Sequence, residues 1–192
     1  MEAEKPVRTF LAIDLPAGVK DDIGSVQKRL KNLLEGVRWT RPEGIHLTLK
    51  FFGDIRREDR EGIIGVVRER TAGVAPFTMK LGHLGAFPSF KRPRVLWIGL
   101  EGETERLAAL QGEIEEGLEA LGFKKENRSF RPHLTLGRAR YSKGTIIGLR
   151  EAVKDMKIEQ KTFSAGTLTL FRSDLRPDGA VYTVLAEFPF PG

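Results

Sequence analysis

Two of the three histidines in this 192-residue chain open the same tetrapeptide, His46-Leu47-Thr48-Leu49 and His133-Leu134-Thr135-Leu136. A string that alternates polar and apolar, built of β-favouring residues, reads as a half-buried strand. Side chains on a strand alternate faces, so in each copy the imidazole and the hydroxyl project together while both leucines point into the core. One such strand constrains little. Two of them, in the two halves of one chain, predict a site built from a pair of matching strands.

The surrounding pattern repeats as well. Thr9 to Leu15 reads as a buried strand closed by Pro16. Val19, Ile23, Val26, Leu30 and Leu33 come next at helical spacing, with Gly36 as the stop. The first histidine strand then runs to about Gly53 and leads into a shorter helix carrying Ile63, Ile64 and Val67. Strands are expected at Phe77–Leu84 and Arg94–Leu100, joined by a loop from Gly85 to Pro93. In the second half, Leu107, Leu110, Ile114, Leu118 and Leu121 form another long apolar stripe, ending at Gly122. The second histidine strand, a helix from about Lys143 to Met156, and strands at Thr162–Phe171 and Val181–Phe188 complete the chain, the last two joined by a turn at Asp174–Gly179.

Strand, long helix, histidine strand, short helix and strand thus occur twice, with no Pro/Gly-rich linker between. The predicted architecture is α+β: one bilobal domain over 1–192, with pseudo-symmetric halves at roughly 1–101 and 102–192. Antiparallel-dominated sheets would face a central cleft, with helices outside and strand exchange between lobes.

Chemistry follows from the residue types. Histidine titrates near neutrality, so His46 and His133 could hold opposite protonation states across a cleft. The neutral one takes a proton from the attacking nucleophile and the cationic one protonates the leaving oxygen. Because the motifs are identical, the sequence does not fix which is which. Thr48 and Thr135 could donate to non-bridging phosphate oxygens as charge develops there. Arg131 shares the polar face of His133 if the strand is regular, and its guanidinium suits a phosphate; Gly44 stands at the matching place in the first copy. By the same parity Lys50 and Phe52 fall on the His46 face, one for phosphate and one for base stacking. Arg138 falls on the opposite parity and ranks below Arg131. These three are candidate substrate contacts.

Other chemistries find little support. There is no cysteine, no Gly-x-Ser-x-Gly elbow, and no phosphate-binding glycine loop. His83 lacks the threonine two residues on and reads as structural, although with His46 and His133 it could complete a three-histidine metal site. Nothing at ligand spacing supports that site, so no metal or cofactor is expected. A net charge of +6 fits a polyanionic partner. No apolar run approaches the roughly 20 residues of a membrane span, and the charged Met1–Arg8 segment does not read as a signal peptide. A cytoplasmic monomer is expected, and scarce Asn and Gln beside abundant Glu, Lys and Arg lean towards a thermophile.

At the level of motifs the chain resembles the two-histidine phosphoesterases. Within them, Gly44 to Gly53 and Arg131 to Arg138 look like the RNA 2′,3′-cyclic phosphodiesterases, historically called 2′-5′ RNA ligases. The strand Phe10-Leu11-Ala12-Ile13-Asp14 and the Gly85-Ala86-Phe87-Pro88 stretch fit the same pattern. The resemblance implies metal-independent hydrolysis of an RNA 2′,3′-cyclic phosphate to a 2′-phosphomonoester. It implies His46 as proton donor, His133 as proton acceptor, Thr48 and Thr135 as phosphate ligands, and Arg131 as a cleft arginine. Reverse 2′-5′ joining of RNA ends is a secondary capacity, and the implied partners are RNA ends, tRNA fragments among them. Two alternatives remain: a non-catalytic module that binds RNA ends, and a cyclic phosphodiesterase for a small nucleotide.

Overall fold

The structure is a computed structural model and describes residues 5–140, 146–154, 156–176 and 179–192. Nine strands form two antiparallel sheets. In chain order the elements are β1 (Val7–Asp14), α1 (Ala17–Lys31), β2 (Val37–Trp39), β3 (His46–Ile55), α2 (Arg57–Thr71), β4 (Phe77–Phe87) and β5 (Val95–Gly102). They continue with α3 (Thr104–Glu119), β6 (His133–Ala139), α4 (Leu149–Lys154), β7 (Thr162–Ala165), β8 (Thr167–Arg176) and β9 (Gly179–Pro189).

The first sheet has the order β3-β1-β8-β9 and the second β2-β6-β5-β4-β7. Each therefore mixes strands from both ends of the chain. The triplet β3-β1-β8 matches β6-β5-β4, with the histidine strand first in each and a strand from the other half last. The sheets carry helices on their outer faces and share one apolar core. Ile23 and Leu30 of α1, Ile63 and Val67 of α2, and Leu107 and Ile114 of α3 all enter it. There they meet Leu11, Leu47, Leu96, Ile98, Leu134 and Leu168 from the strands. Each such side chain removed from water stabilises the fold by about 1.5–3 kcal/mol.

Several expectations need correction. The second helix is not shorter than the first; α1 and α2 both have 15 residues. Gly85, Ala86 and Phe87 belong to β4 rather than to a loop, and β2 was not foreseen. The expected strand Thr162–Phe171 is two strands broken at Gly166, one in each sheet. A glycine within a strand-like run is a natural place for the chain to change sheets. Of the helix expected over 143–156, the structure has only α4; residues 143–145 and 155 lie outside the described residues, as do 177 and 178 of the expected turn. Among the described residues no helix is long and apolar enough to cross a membrane.

Both histidine strands bend at the same place. In β3, Thr48 pairs with Ala12 but Lys50 pairs with Leu11, leaving Leu49 as an extra residue. In β6, Thr135 pairs with Trp97 but Gly137 pairs with Leu96, leaving Leu136 extra. Each is a β-bulge one residue after the threonine, and each reverses the side-chain parity of the rest of its strand.

Candidate active site

Before the bulges the alternation holds. Leu47, Leu49, Leu134 and Leu136 are buried, while His46, Thr48, His133 and Thr135 stand half-buried on the opposite face. Strands β3 and β6 approach until Cα atoms lie within 8 Å of one another, so the two motifs sit on neighbouring strands of different sheets.

Aromatic rings surround His46. It stacks on Phe10, with ring centroids 4.5 Å apart, and meets Tyr182 edge-on at 5.2 Å. Phe171 lies beyond at 6.3 Å. This enclosure strips water from the imidazolium and lowers the His46 pKa to about 4, against smaller upward pulls from the Gly44 backbone and Asp14.

His133 occupies a matching nest. Phe87 meets it edge-on at 5.0 Å and Trp97 at 6.1 Å. Its Nδ1 lies 2.7 Å from the carbonyl oxygen of Arg131. A carbonyl only accepts, so Nδ1 carries the proton and neutral His133 keeps its lone pair on Nε2. Burial lowers its pKa, the Arg131 carbonyl opposes that, and the charge of Arg138 lowers it further. Gly85 makes room for this arrangement. A Cβ there would stand 2.1 Å from the Trp97 ring, which lies across β4 at that point.

Beyond the bulges the predicted contacts change places. Lys50 does not face the site. It is 4% exposed, its Nζ lies 2.7 Å from Glu115 Oε2, and it also donates to the carbonyl of Lys124. The bulge at Leu49 turned it to the core side. Phe52 likewise packs away, edge-on against Phe123 at 5.3 Å. Phe51 takes the site face instead, 52% exposed and 5.9 Å from Phe10. The same reversal acts on Arg138, which the regular-strand expectation put on the wrong side. After the bulge at Leu136 it shares the face of His133, and its charge is felt by both His133 and Tyr182. Because Tyr182 touches His46, Arg138 links the surroundings of the two histidines. Arg131 is exposed, and the contact it makes to the site runs through its carbonyl oxygen.

His83 is exposed on β4, edge-on to Trp97 at 5.6 Å. Among the described residues no group of three His, Cys, Asp or Glu is placed to hold a metal ion. The aromatic residues Phe10, Phe171 and Tyr182 escaped the sequence reading because they come from strands whose pairing with β3 has no local signature.

A duplicated, bilobal two-sheet fold carrying one His-x-Thr strand per lobe defines a two-histidine phosphoesterase architecture. The crystal structure of a Thermus thermophilus protein superposes with a TM-score of 0.78 at 26% identity, covering 96% of this chain and 98% of that one. Escherichia coli LigT bound to 3′-AMP has the same fold, with a TM-score of 0.76 at 24% identity over 97% and 99% of the two chains. In sequence, the RNA 2′,3′-cyclic phosphodiesterase of Methanocaldococcus jannaschii is 34% identical over 184 residues, 95% of this chain and all of that protein. The Thermotoga maritima protein of the same name is 32% identical, over 97% of each chain. The model of the family described as "LigT like Phosphoesterase" matches twice in tandem, at residues 13–97 and 98–182. The chain belongs to the LigT-like phosphoesterase family and is related to the RNA 2′,3′-cyclic phosphodiesterases.

Proposed function

We propose that this protein hydrolyses RNA 2′,3′-cyclic phosphate ends to 2′-phosphomonoesters by general acid–base catalysis between His46 and His133, without a metal ion. The observation that carries this reading is the matched pair of His-x-Thr faces, each imidazole hydrogen-bonded by backbone two residues upstream and enclosed by aromatic rings.

His133 serves as the base. With Nδ1–H tied to the Arg131 carbonyl, Nε2 is free to take a proton from water as its oxygen attacks phosphorus. His46 serves as the acid and delivers a proton to O3′ as the P–O3′ bond breaks. Burial keeps His46 neutral in the free protein at pH 7, so it is charged only when an anion arrives. The phosphodiester supplies that anion and favours the imidazolium. Thr48 and Thr135 hold the non-bridging oxygens, and Arg138 adds positive charge beside His133, a place the sequence reading gave to Arg131. Phe51 offers an exposed ring on which the terminal base stacks. The reverse reaction, joining a 5′-hydroxyl to the cyclic end through a 2′-5′ linkage, uses the same groups.

The regiochemistry of the product tests the proposal. An oligoribonucleotide ending in 2′,3′-cyclic phosphate, incubated with EDTA, should yield only the 2′-phosphomonoester. A 3′-phosphate product, or turnover that stops with EDTA, would overturn it.

A further inference from the structure

Arg38 and Arg138 are direct register partners across the β2–β6 pair. Both are exposed, and both lie on the cleft face of the second sheet. Their strand neighbours show this: Val37 is buried, and a Cβ added to Gly137 would stand 2.6 Å from Val37 Cγ1 on the core side. On its other flank Arg138 pairs with Val95, which brings no counter-charge. Among the described residues neither guanidinium has a carboxylate or other hydrogen-bonding partner.

Two like charges directly opposite one another destabilise an antiparallel pair. A short three-residue edge strand such as β2 is a poor place to carry that cost without a use for it. Thr135 lies three residues before Arg138 on the same face, with one residue bulged out between them. At strand rise this puts the arginine pair roughly 7–10 Å beyond the phosphate-binding hydroxyl.

We infer that Arg38 and Arg138 together form a second anion site, which takes the phosphate 5′ to the terminal nucleotide of an RNA substrate. The inference rests on the cyclic-phosphodiesterase reading and adds to it the length of chain recognised. A 2′,3′-cyclic mononucleotide lacks that phosphate, whereas an oligonucleotide with the same end has it. Two planar forks suit one phosphate better than a lysine pair would. The second sheet thereby distinguishes an RNA terminus from a free cyclic nucleotide.

The test compares Arg38→Ala and Arg38→Lys with the unaltered protein on a 2′,3′-cyclic mononucleotide and on an oligoribonucleotide with a cyclic end. Arg38→Ala should lose about tenfold in kcat/KM on the oligonucleotide, mainly through KM, and flatten its salt dependence by about one unit of slope. Mononucleotide turnover should stay unchanged, and Arg38→Lys should fall between. Thermal unfolding of Arg38→Ala at low salt should be no lower than that of the parent, because a repulsion is removed. Equal losses on both substrates, or no loss on the oligonucleotide, would overturn the inference. Affinity for the oligonucleotide by fluorescence anisotropy separates this from the proposed reaction. A protein that turns over neither substrate defeats the reaction, while unchanged affinity in Arg38→Ala defeats the second site.

Discussion

The side-chain amide nitrogen of Gln27 lies 2.8 Å from the carbonyl oxygen of Leu136, the residue that bulges from the second histidine strand. The same nitrogen donates to the carbonyl of Thr40. In the other lobe Gln111 reaches the carbonyl of Leu49, the bulged residue of the first histidine strand, at 3.4 Å. A bulge leaves a ladder carbonyl without its partner, and a buried glutamine from a long helix answers it in each case. The pairing crosses the halves, α1 serving β6 and α3 serving β3. Two of the few glutamines in the chain thus hold open the parity switch that places Phe51 and Arg138 on the site face.

Replacing Gln27 with Leu keeps its volume but leaves the Leu136 and Thr40 carbonyls unanswered. The expected cost is about 1–3 kcal/mol, read from urea denaturation. A larger fractional loss of activity than of folded protein should accompany it, because the bulge orients Arg138. A variant that is as stable and active as the parent would show the glutamine to be incidental.

Lys50 makes a separate prediction. Its buried pair with Glu115 ties β3 to α3, and Glu115 is itself bonded to Gln111. Lys50→Met alone strands a buried carboxylate and should cost about 3–5 kcal/mol. Lys50→Met with Glu115→Leu should recover most of that loss. Activity per folded molecule should change little in either, since Lys50 does not reach the substrate. A selective fall in kcat with stability preserved would restore Lys50 to the site.

The histidine environments set the pH dependence. The active free enzyme carries one proton across the pair, with His46 lowered to about 4 and His133 lowered from 6.5. The kcat/KM profile should therefore be a bell on the acid side of 6.5, and the kcat profile should shift upward once the phosphate's charge favours the imidazoliums. Burial also links to stability. The folded His46 binds its proton more weakly than the unfolded chain does, so its contribution is full above pH 6.5. As pH falls from 6.5 towards 4 it loses up to about 3 kcal/mol. Denaturation midpoints at about pH 7 and pH 5, for the parent and His46→Phe, check this; an alkaline limb of kcat/KM above about pH 7 would contradict the assigned environments.

The sequence carried the duplicated pattern because helical stripes and alternating strands are local signals. It carried His46, Thr48, His133 and Thr135 for the same reason, since parity holds from the imidazole to the hydroxyl. It failed one residue further on. Bulges at Leu49 and Leu136 depend on pairing with β1 and β5, and no local cue separates Phe51 from Phe52 or marks Lys50 as buried. The aromatic walls escaped because Phe10, Phe171 and Tyr182 meet His46 only after strands from both ends of the chain join one sheet. Gly166 did carry a signal, a glycine in mid-strand, where the chain passes between sheets.

The central claim is that two imidazoles share one reaction. Turnover of an oligoribonucleotide with a 2′,3′-cyclic end, in EDTA at saturating substrate, should fall about 10²–10⁴-fold in both His46→Ala and His133→Ala while each variant stays folded. Activity within a few-fold of the parent in either variant would contradict it.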